Sequence, residues 1–348
     1  MQEIVAEKPI DAVIAAMWRH PHEVDTGSIR VIHLLEAEPV ASRALRQLPS
    51  IAFAFFRLLS QLRSAYGHRL ELLLGHYSTY LLAWFAPALP RICFNQDMEW
   101  LFVRKGWRRS ILKKVILLTN RRSRVVTTNA YVTKTYEAAG VQPLGEASIW
   151  AEARWLRPAA SNRDIDVVML VRGSAIKRLD LYLKALRLFS RTSLRVAVIT
   201  PDTAIAERLR LDAVETYLRP SDAEMQVIFG RSRVFLLLSD VEGFGLPPLE
   251  AMGSGCVPVC RDAGGVRCYM RGEFANLLFP LDTPIEHIVG TVVDRLQRND
   301  LPDAEAARSA FATGLQASRV SRADCIRRLQ SSIGNAAASE AAHQLDAL

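Results

Sequence analysis

The stretch from residue 234 to residue 260, VFLLLSDVEGFGLPPLEAMGSGCVPVC, constrains the fold more than any other part of the chain. Its two ends are short apolar runs, typical of strands that are buried on both faces of a parallel sheet. Between them, Gly243 and Gly245 allow a sharp turn, and Pro247 and Pro248 suit the first turn of a helix. The pattern predicts a strand, a glycine loop, a helix and a second strand.

The predicted helix starts at the glycine loop, so its N-terminus points back at that loop. Free backbone N–H groups and the helix dipole favour a phosphate or a polarised sugar oxygen at such a place. Two carboxylates flank it, Glu242 on the loop and Glu250 in the first turns of the helix, with seven residues between them. A carboxylate accepts two hydroxyl hydrogen bonds at once, so both residues suit the diols of a ribose or a sugar.

The order E-G-F-G-L-P-P-L-E-A-M-x-x-G-x-x-P-V resembles the donor-site signature of retaining family-4 type glycosyltransferases, the glycosyl transferases group 1. The resemblance implies an α/β chain of the GT-B fold, with two Rossmann-like doubly wound domains that face a cleft. It further implies that Glu242 faces the donor sugar and that Glu250 holds the nucleotide ribose. The other residues that it places at the donor are Gly243, Phe244, Gly245 and Leu246.

A second segment supports the same interpretation. Arg172 and Gly173 follow a predicted strand over residues 166–171, and Lys177 comes five positions after Arg172. The segment resembles the family's G-R-x-x-x-x-K, which implies that Arg172 and Lys177 neutralise the donor diphosphate. A departing diphosphate gains negative charge, which fixed cations stabilise. We therefore take Glu242, Arg172 and Lys177 as the candidate catalytic residues and Gly173 as a further donor-binding residue. We predict that neither a metal nor a cofactor is required.

The N-terminal half predicts strands over residues 29–35, 70–75, 90–94 and 123–128 and helices over residues 43–66 and 129–140. Ligands of open α/β sheets bind at the carboxyl ends of the strands. The candidates for a sugar or acceptor cleft are therefore His76, Asn95, Gln96 and Asp97. For His76, a purely structural role is an equal alternative. The segment F-N-Q-D-M-E-W also resembles a Q-D-x-E segment of some bacterial polysaccharide rhamnosyltransferases.

Residues 104–124 hold nine basic residues and no acid, with Trp107, Ile111 and other apolar residues between them. The pattern predicts a basic amphipathic helix, which is either a solvated charged face or a dock for an anionic membrane surface. The formal net charge of +8 suits anionic partners in general. No nucleic-acid motif accompanies the patch, so nucleic acid is not an expected partner.

The 348 residues suffice for two α/β domains. We predict an acceptor-side domain over residues 1–150, a nucleotide-sugar domain over 151–317, and a helix over 318–333 that returns to the first domain before a tail. A separate helix is predicted over 304–317. Without a membrane-spanning run or a secretion signal, and with five scattered cysteines, the chain is expected in the cytoplasm, peripherally on the membrane's inner face.

The expected function is transfer of a sugar, with retention, from a nucleotide-diphosphate donor to a glycan or lipid-linked acceptor in bacterial surface polysaccharide assembly. The sequence does not identify the sugar, the nucleotide or the acceptor. One alternative is a non-catalytic GT-B subunit that binds nucleotide sugar or glycan. Others are a GT-B epimerase or phosphorylase, and a basic module that binds membranes or nucleic acid.

Overall fold

The structure is a computed structural model, and it describes part of the chain. The described residues are 13–18, 30–35, 53, 55–57, 59–60, 64, 72–74, 80, 89–103, 106–157, 162–211 and 214–345. His76 lies outside them, and so does most of the helix predicted over residues 43–66. The chain divides into two compact units. Unit 1 is Met1–Phe94 with Leu112–Val125, and unit 2 is Asn95–Ile111 with Val126–Leu348.

Short parallel strands form the described part of the N-terminal region. Strands β1 and β2 pair with each other, with Val13 opposite Arg30 and Trp18 opposite Leu35. A separate four-stranded sheet has the order β3-β4-β5-β6. The strands are β1 Val13–Trp18, β2 Arg30–Leu35, β3 Leu72–Leu74, β4 Arg91–Asn95, β5 Arg124–Thr127 and β6 Gly145–Glu146. The four strands predicted here from the sequence are thus confirmed, with slightly different ends.

Two helices flank β5. Helix α1, Trp107–Arg121, falls within the predicted basic segment, and α2, Ala130–Ala138, begins directly after β5. The side chain of Asn129 caps α2, because its Oδ1 accepts hydrogen bonds from the N–H groups of Tyr131 and Val132, both at 3.0 Å. An asparagine at this position satisfies two of the N–H groups that the first turn of a helix leaves without partners.

A six-stranded sheet organises unit 2, and every pair of neighbouring strands in it is parallel. Its order is β12-β11-β10-β7-β8-β9. The strands are β7 Ile165–Leu170, β8 Val196–Thr200, β9 Glu215–Leu218, β10 Ser232–Leu237, β11 Val257–Arg261 and β12 Leu278–Phe279. The strand order reverses between β7 and β10, and such a switch point opens a crevice at the carboxyl ends of the two strands.

Six α-helices follow residue 157 in the described part of the chain. They are α3 Leu179–Phe189, α4 Thr203–Leu211, α5 Asp222–Arg231, α6 Leu246–Gly253, α7 Ile285–Arg298 and α8 Ala304–Leu345. All five residues of β11 are buried, and one continuous apolar core includes Phe229, Phe235 and Met169. The predicted sequence of strand, glycine loop, helix and strand is confirmed as β10, α6 and β11.

Several sequence predictions differ from the structure. Strands β6 and β12, two residues each, were not predicted, and residues 335–345, predicted as a tail, belong to a helix. Strand β9, with the sequence ETYL, was not predicted, because it is a half-buried edge strand without an apolar run. The helices predicted over residues 304–317 and 318–333 are one continuous helix, α8, since no proline or glycine pair ends it at Ala317. Gly314 lies inside α8 where a Cβ would overlap the ring of Trp150. This glycine therefore lets the ring approach the helix and does not end it.

We predict that Gly314→Ala lowers the urea midpoint of unfolding, because the new methyl group must displace Trp150 at a cost of about 1–3 kcal/mol. Gly290→Ala on α7 is the matched control, since nothing lies within 4 Å of its Cβ position. Alanine is there the better helix residue by about 1 kcal/mol, so the midpoint should stay or rise. Equal effects of the two substitutions would contradict the close approach of Trp150.

Candidate active site

The site is built on the two loops that follow β7 and β10, on either side of the switch point. The β7 loop carries Arg172 and Gly173 and continues into a short 3-10 helix, Ala175–Lys177. The β10 loop carries Glu242. The loops are joined through their backbones, since the N–H of Asp240 donates to the carbonyl oxygen of Ile176 at 2.9 Å. Residues distant in sequence thus meet where the fold opens a crevice.

Lys177 and Glu242 form an ion pair across these loops. The Lys177 Nζ lies 2.8 Å from both carboxylate oxygens of Glu242. Their side chains are 23% and 11% exposed, so water screens the pair only partly. The structure therefore brings together two of the three predicted catalytic residues, and in doing so it fixes the carboxylate between the two loops.

Two arginines, Arg261 and Arg178, stabilise the β10 loop through hydrogen bonds. Arg261 at the end of β11 is 4% exposed, and its Nη1 donates to Leu238 O at 3.0 Å and to Asp240 Oδ1 at 2.6 Å. Arg178 Nη1 donates to the same Asp240 oxygen at 3.0 Å. Because two guanidinium groups share one carboxylate, the loop is held at its first turn. Sequence reasoning missed Arg178 and Arg261, which look like ordinary surface arginines in the sequence.

Glu242 is also held through its backbone. Its N–H donates to Ala263 O at 2.8 Å, and its carbonyl accepts from the N–H of Gly265 at 3.0 Å. At Gly265, a Cβ would overlap the carbonyl oxygen of Gly243. Gly264 has φ +90°, and a Cβ there would overlap the Tyr131 ring. The turn after β11 thus needs both glycines to reach the donor loop.

Two side chains from an earlier part of unit 2, those of Asn129 and Asp97, approach Gly243. Asn129 Nδ2 donates to the Gly243 carbonyl oxygen at 2.9 Å. On the other side, Asp97 Oδ2 lies only 2.5 Å from where a Gly243 Cβ would be, and the carbonyl oxygen of Gln96 lies 2.9 Å from it. Sequence reasoning identified Asp97 and Gln96 as cleft residues. It missed Asn129 as a residue of the site, because its helix-capping role already accounts for an asparagine there.

The carboxyl group of Asp97 has an unusual proton affinity. Its pKa is raised to about 6, mainly by burial and also by the negative charge of Glu242. Hydrogen bonds from the N–H groups of Met98 and Gly243, and the charge of Lys177, act in the opposite direction. Asp97 therefore lies close enough to Lys177 and Glu242 for both charges to affect its pKa.

Helix α6 begins directly after the glycine loop. Gly245 caps it with φ +80°, a conformation that favours glycine, and its carbonyl oxygen accepts from the Tyr269 hydroxyl at 2.7 Å. Pro247 and Pro248 have no N–H, so the donors at this helix end belong mainly to the residues before them. In the described part of the chain, the N–H groups of Phe244, Gly245 and Leu246 donate to no backbone acceptor.

The side chain of Phe244 has a structural role. It is 5% exposed, and its ring lies 5.8 Å from the rings of both Trp150 and Tyr269. Any contact between Phe244 and a ligand would therefore use its backbone. This aromatic cluster fixes the glycine loop against the core of unit 2.

Glu250 lies on α6, about 6 Å along the helix axis from Leu246. Its pKa is raised to about 7, mainly by burial and also by the nearby charges of Asp222 and Glu152. Arg154 and Arg172 lower it. Because Arg154 itself pairs with Asp222 at 3.1 Å and with Glu152 at 3.2 Å, its charge is divided among three carboxylates.

Arg172 and Gly173 line an open pocket of about 500 Å³ at the carboxyl ends of β7, β8 and β9. Both residues are exposed. The other lining residues are Pro201, Asp202, Thr203, Ala204 and Arg219. The predicted diphosphate residue Arg172 thus lies near Glu250 on one side and this pocket on the other. Of the predicted site residues, His76 alone lies outside the described part of the chain.

No group of three or more His, Cys, Asp and Glu side chains among the described residues could hold a metal ion. That turnover requires no metal stays a prediction. No helix in the described part of the chain combines the length and the apolar composition that a membrane span needs.

Residues 156–301 match the family model described as "Glycosyl transferases group 1". This part of the chain is a group 1 glycosyltransferase domain. The match contains both loops of the switch point, with Arg172, Lys177, Glu242 and Glu250. A further similarity is to the GDP-mannose:cellobiosyl-diphosphopolyprenol alpha-mannosyltransferase of Xanthomonas oryzae pv. oryzae, 37% identical over 59 residues. That match covers 17% of this chain and 16% of the relative, so the chain matches only about a sixth of that protein.

Solved glycosyltransferases share the fold. Sucrose-phosphate synthase from Thermosynechococcus elongatus superimposes with a TM-score of 0.73 at 15% identity, over 97% of this chain and 92% of that one. Anabaena HepE in complex with UDP-glucose gives a TM-score of 0.62 at 15% identity, over 87% and 86% of the chains. The group 1 glycosyltransferase domain therefore lies in a chain of the GT-B fold, as the sequence resemblance implied.

We predict that the affinity for a nucleotide sugar rises roughly tenfold between pH 6 and pH 8. With a pKa of about 7, Glu250 gains its charge in this range, and the ionised carboxylate is the better acceptor for ribose hydroxyls. The nucleotide sugar is used here instead of a free nucleoside diphosphate, because the diphosphate of a nucleotide sugar does not titrate near neutral pH. Calorimetry on wild type and Glu250→Gln would separate this effect from the titration of Asp97. An equally steep pH dependence in the variant would contradict the assignment.

Proposed function

We propose that the protein is a glycosyltransferase that moves a sugar, with retention, from a nucleotide-diphosphate donor to a glycan or lipid-linked acceptor. The observation that carries the proposal is the Lys177–Glu242 pair at the switch point of the matched domain. Glu250 lies on the helix that starts at the same loop. Cation, carboxylate and helix N-terminus thus meet at the place where open α/β sheets bind their ligands.

Each part of a nucleotide sugar has a matching group in this site. Glu250 would accept hydrogen bonds from the ribose diol. Arg172, Lys177 and the N–H groups of Phe244, Gly245 and Leu246 would meet the diphosphate oxygens. Glu242 would orient the sugar hydroxyls and support the positive charge that develops on the sugar. These roles require no metal, because the side-chain cations and the helix N-terminus supply the positive charge.

The proposed reaction breaks the bond between the anomeric carbon and the diphosphate oxygen, and the electron pair leaves with that oxygen. The acceptor hydroxyl attacks from the same face, and the departing phosphate takes its proton. Lys177 would stabilise the negative charge that develops on the leaving diphosphate. It would therefore lower the free energy of the transition state more than that of the bound donor. The bond to Glu242 holds the Lys177 ammonium in place before the donor arrives.

One relative supports a lipid-linked acceptor, and a second protein of the same fold supports a nucleotide-sugar donor. The Xanthomonas protein is described as acting on a cellobiosyl-diphosphopolyprenol, which is a lipid-linked glycan, and HepE was solved with UDP-glucose. Together with the Q-D-x-E resemblance at residues 96–99, this favours a role in bacterial surface polysaccharide assembly. The alternative is a non-catalytic GT-B subunit that binds the nucleotide sugar without turnover.

A donor screen would test the proposal. We expect one family among UDP-, GDP- and dTDP-sugars to raise the melting temperature and to be hydrolysed slowly. Glu250→Ala should lose the melting shift, and Lys177→Ala should bind the donor but hydrolyse it roughly 10²- to 10³-fold more slowly. Glu273→Ala, an exposed acid away from the site, is the control. Binding without hydrolysis or transfer would favour the non-catalytic subunit, and no binding at all would overturn the proposal.

We further propose that α1 docks onto anionic lipid at the inner face of the cytoplasmic membrane. Trp107, Ile111 and Leu118 are 70%, 52% and 41% exposed, and their spacing places them on one helix face. Exposed basic residues flank them: Arg108, Lys113, Lys114, Arg121 and Arg122. An apolar stripe with a basic border is the surface that binds anionic bilayers. Arg109 has a structural role, since it donates to the carbonyl oxygens of Trp100 and Leu101.

For α1 we predict binding to phosphatidylglycerol vesicles but not to phosphatidylcholine vesicles in sedimentation assays. Removing Lys113 and Lys114 together should weaken binding roughly tenfold or more, at about 1 kcal/mol for each basic residue. Trp107→Ala should weaken it at every salt concentration. Arg187→Ala with Arg191→Ala, an exposed basic pair at the C-terminal end of α3, is the matched control. Equal loss in the control would show that overall charge, and not α1, determines binding.

A further inference from the structure

The pocket at the ends of β7, β8 and β9 adjoins the place proposed for the ribose. Arg172 lines the pocket, and its charge also acts on the carboxylate of Glu250. A nucleoside whose ribose is held at Glu250 would therefore extend its base past Arg172. The pocket volume of about 500 Å³ is ample for a purine.

Asp202 is the one acidic side chain that lines this pocket. Its Oδ1 accepts hydrogen bonds from the N–H groups of Ala204 at 3.0 Å and Ile205 at 3.3 Å, which caps α4 and fixes the carboxylate. Its Oδ2 lies 3.1 Å from the position of a Cβ on Gly173, so it points across the pocket entrance toward the β7 loop. Among the described residues, Oδ2 has no hydrogen-bond donor.

Arg219 supplies a planar cation to the opposite part of the lining. Its Nε donates to Pro201 O at 2.9 Å and its Nη2 to Thr203 Oγ1 at 3.4 Å. Its backbone has φ +49°, a conformation that few non-glycine residues adopt. A guanidinium held at two points is a surface on which an aromatic base can stack.

The bases differ in what they present to a carboxylate. Guanine offers two neighbouring donors, N1–H and the N2 amino group, and one carboxylate can accept from both. Uracil and thymine place carbonyl oxygens on both sides of their single N–H, and these would repel the carboxylate. Adenine and cytosine offer an amino group beside a ring nitrogen that is itself an acceptor. Guanine is therefore the base that a fixed carboxylate favours.

We propose that this pocket holds the nucleobase of the donor and that Asp202 selects guanine, so that the donor is a GDP-sugar. The inference rests on the proposed function, because it assumes that Glu250 holds a ribose. It adds a specificity residue that neither the donor motif nor the resemblance assigned. Gly173 acquires a role as well, since a side chain there would crowd the Asp202 carboxylate.

Calorimetric titration of the full chain with GDP, UDP, ADP and CDP is the first test. We expect GDP to bind roughly 10- to 100-fold more tightly than the others. IDP, which lacks the N2 amino group, should bind the wild-type protein roughly tenfold more weakly than GDP. A preference for UDP would overturn the selection of guanine and leave the proposed function standing. Absence of binding to every nucleotide would overturn both.

The variant Asp202→Asn provides the second test. Asparagine caps a helix as well as aspartate does, so the fold should be kept, and the unfolding midpoint would verify this. The side-chain amide of asparagine donates a hydrogen bond at the position where the carboxylate accepted one. Xanthine has a carbonyl oxygen at C2, which can accept that hydrogen bond. The variant should therefore lose affinity for GDP and gain affinity for XDP. Glu207→Gln, an exposed acid on the same helix, should change neither.

A gain of XDP binding cannot come from a merely structural role of Asp202. Unchanged GDP affinity in Asp202→Asn would overturn the proposal. Inorganic pyrophosphate serves as the remaining probe. It should compete with GDP at the proposed diphosphate site but bind more weakly. If it bound as tightly as GDP, the base would add nothing to binding, and the assignment of the pocket to the base would be wrong.

Discussion

The ion pair between Lys177 and Glu242 joins the two loops on which the whole site depends. Each side chain is mostly removed from water, and a charge in that position is costly unless a partner stands against it. Without a ligand, each residue supplies that partner for the other. The backbone bond from Asp240 to Ile176 and the arginines around Asp240 keep the loops in register. A diphosphate would enter a site whose cation is already in position, so this cation would need no reorganisation during the reaction.

Close packing explains most of these glycines better than flexibility does. Gly243 has no side chain because Asp97 and Gln96 occupy the space where a Cβ would lie, and Gly265 because the Gly243 carbonyl does. Gly245 differs, since its φ of +80° is what starts α6 at the right angle. One loop is thus shaped by two separate constraints, space at one glycine and conformation at the other. The same letters in the sequence do not distinguish them.

The sequence predicted what is encoded locally. Strand β10, the glycine loop, α6 and β11 are consecutive, and their apolar runs, glycines and prolines are sufficient to recognise them. The pairing of Lys177 with Glu242 joins residues 65 positions apart, so only the strand order makes it visible. The same holds for Asn129 and Gly243, which are 114 positions apart. An asparagine before a helix is common as a cap, so Asn129 carries no signal for a site, and Arg261 carries no pattern that marks it as buried. The edge strand β9 lacked an apolar run, and α8 lacked any signal for a break.

The two glutamates of the site have different surroundings, and these surroundings indicate different roles. Glu242 meets a lysine with both oxygens, so its charge is balanced before a ligand binds. Glu250 lies among Asp222 and Glu152 with one shared arginine, Arg154, and a second cation, Arg172, and its pKa is raised to about 7. A carboxylate in such surroundings gains most from donors that arrive with a ligand, because hydroxyl groups stabilise the charge that burial opposes. Binding of a diol at Glu250 should therefore release a proton at neutral pH. Proton release measured by calorimetry in buffers of different ionisation enthalpy would therefore report on the ribose end of the donor.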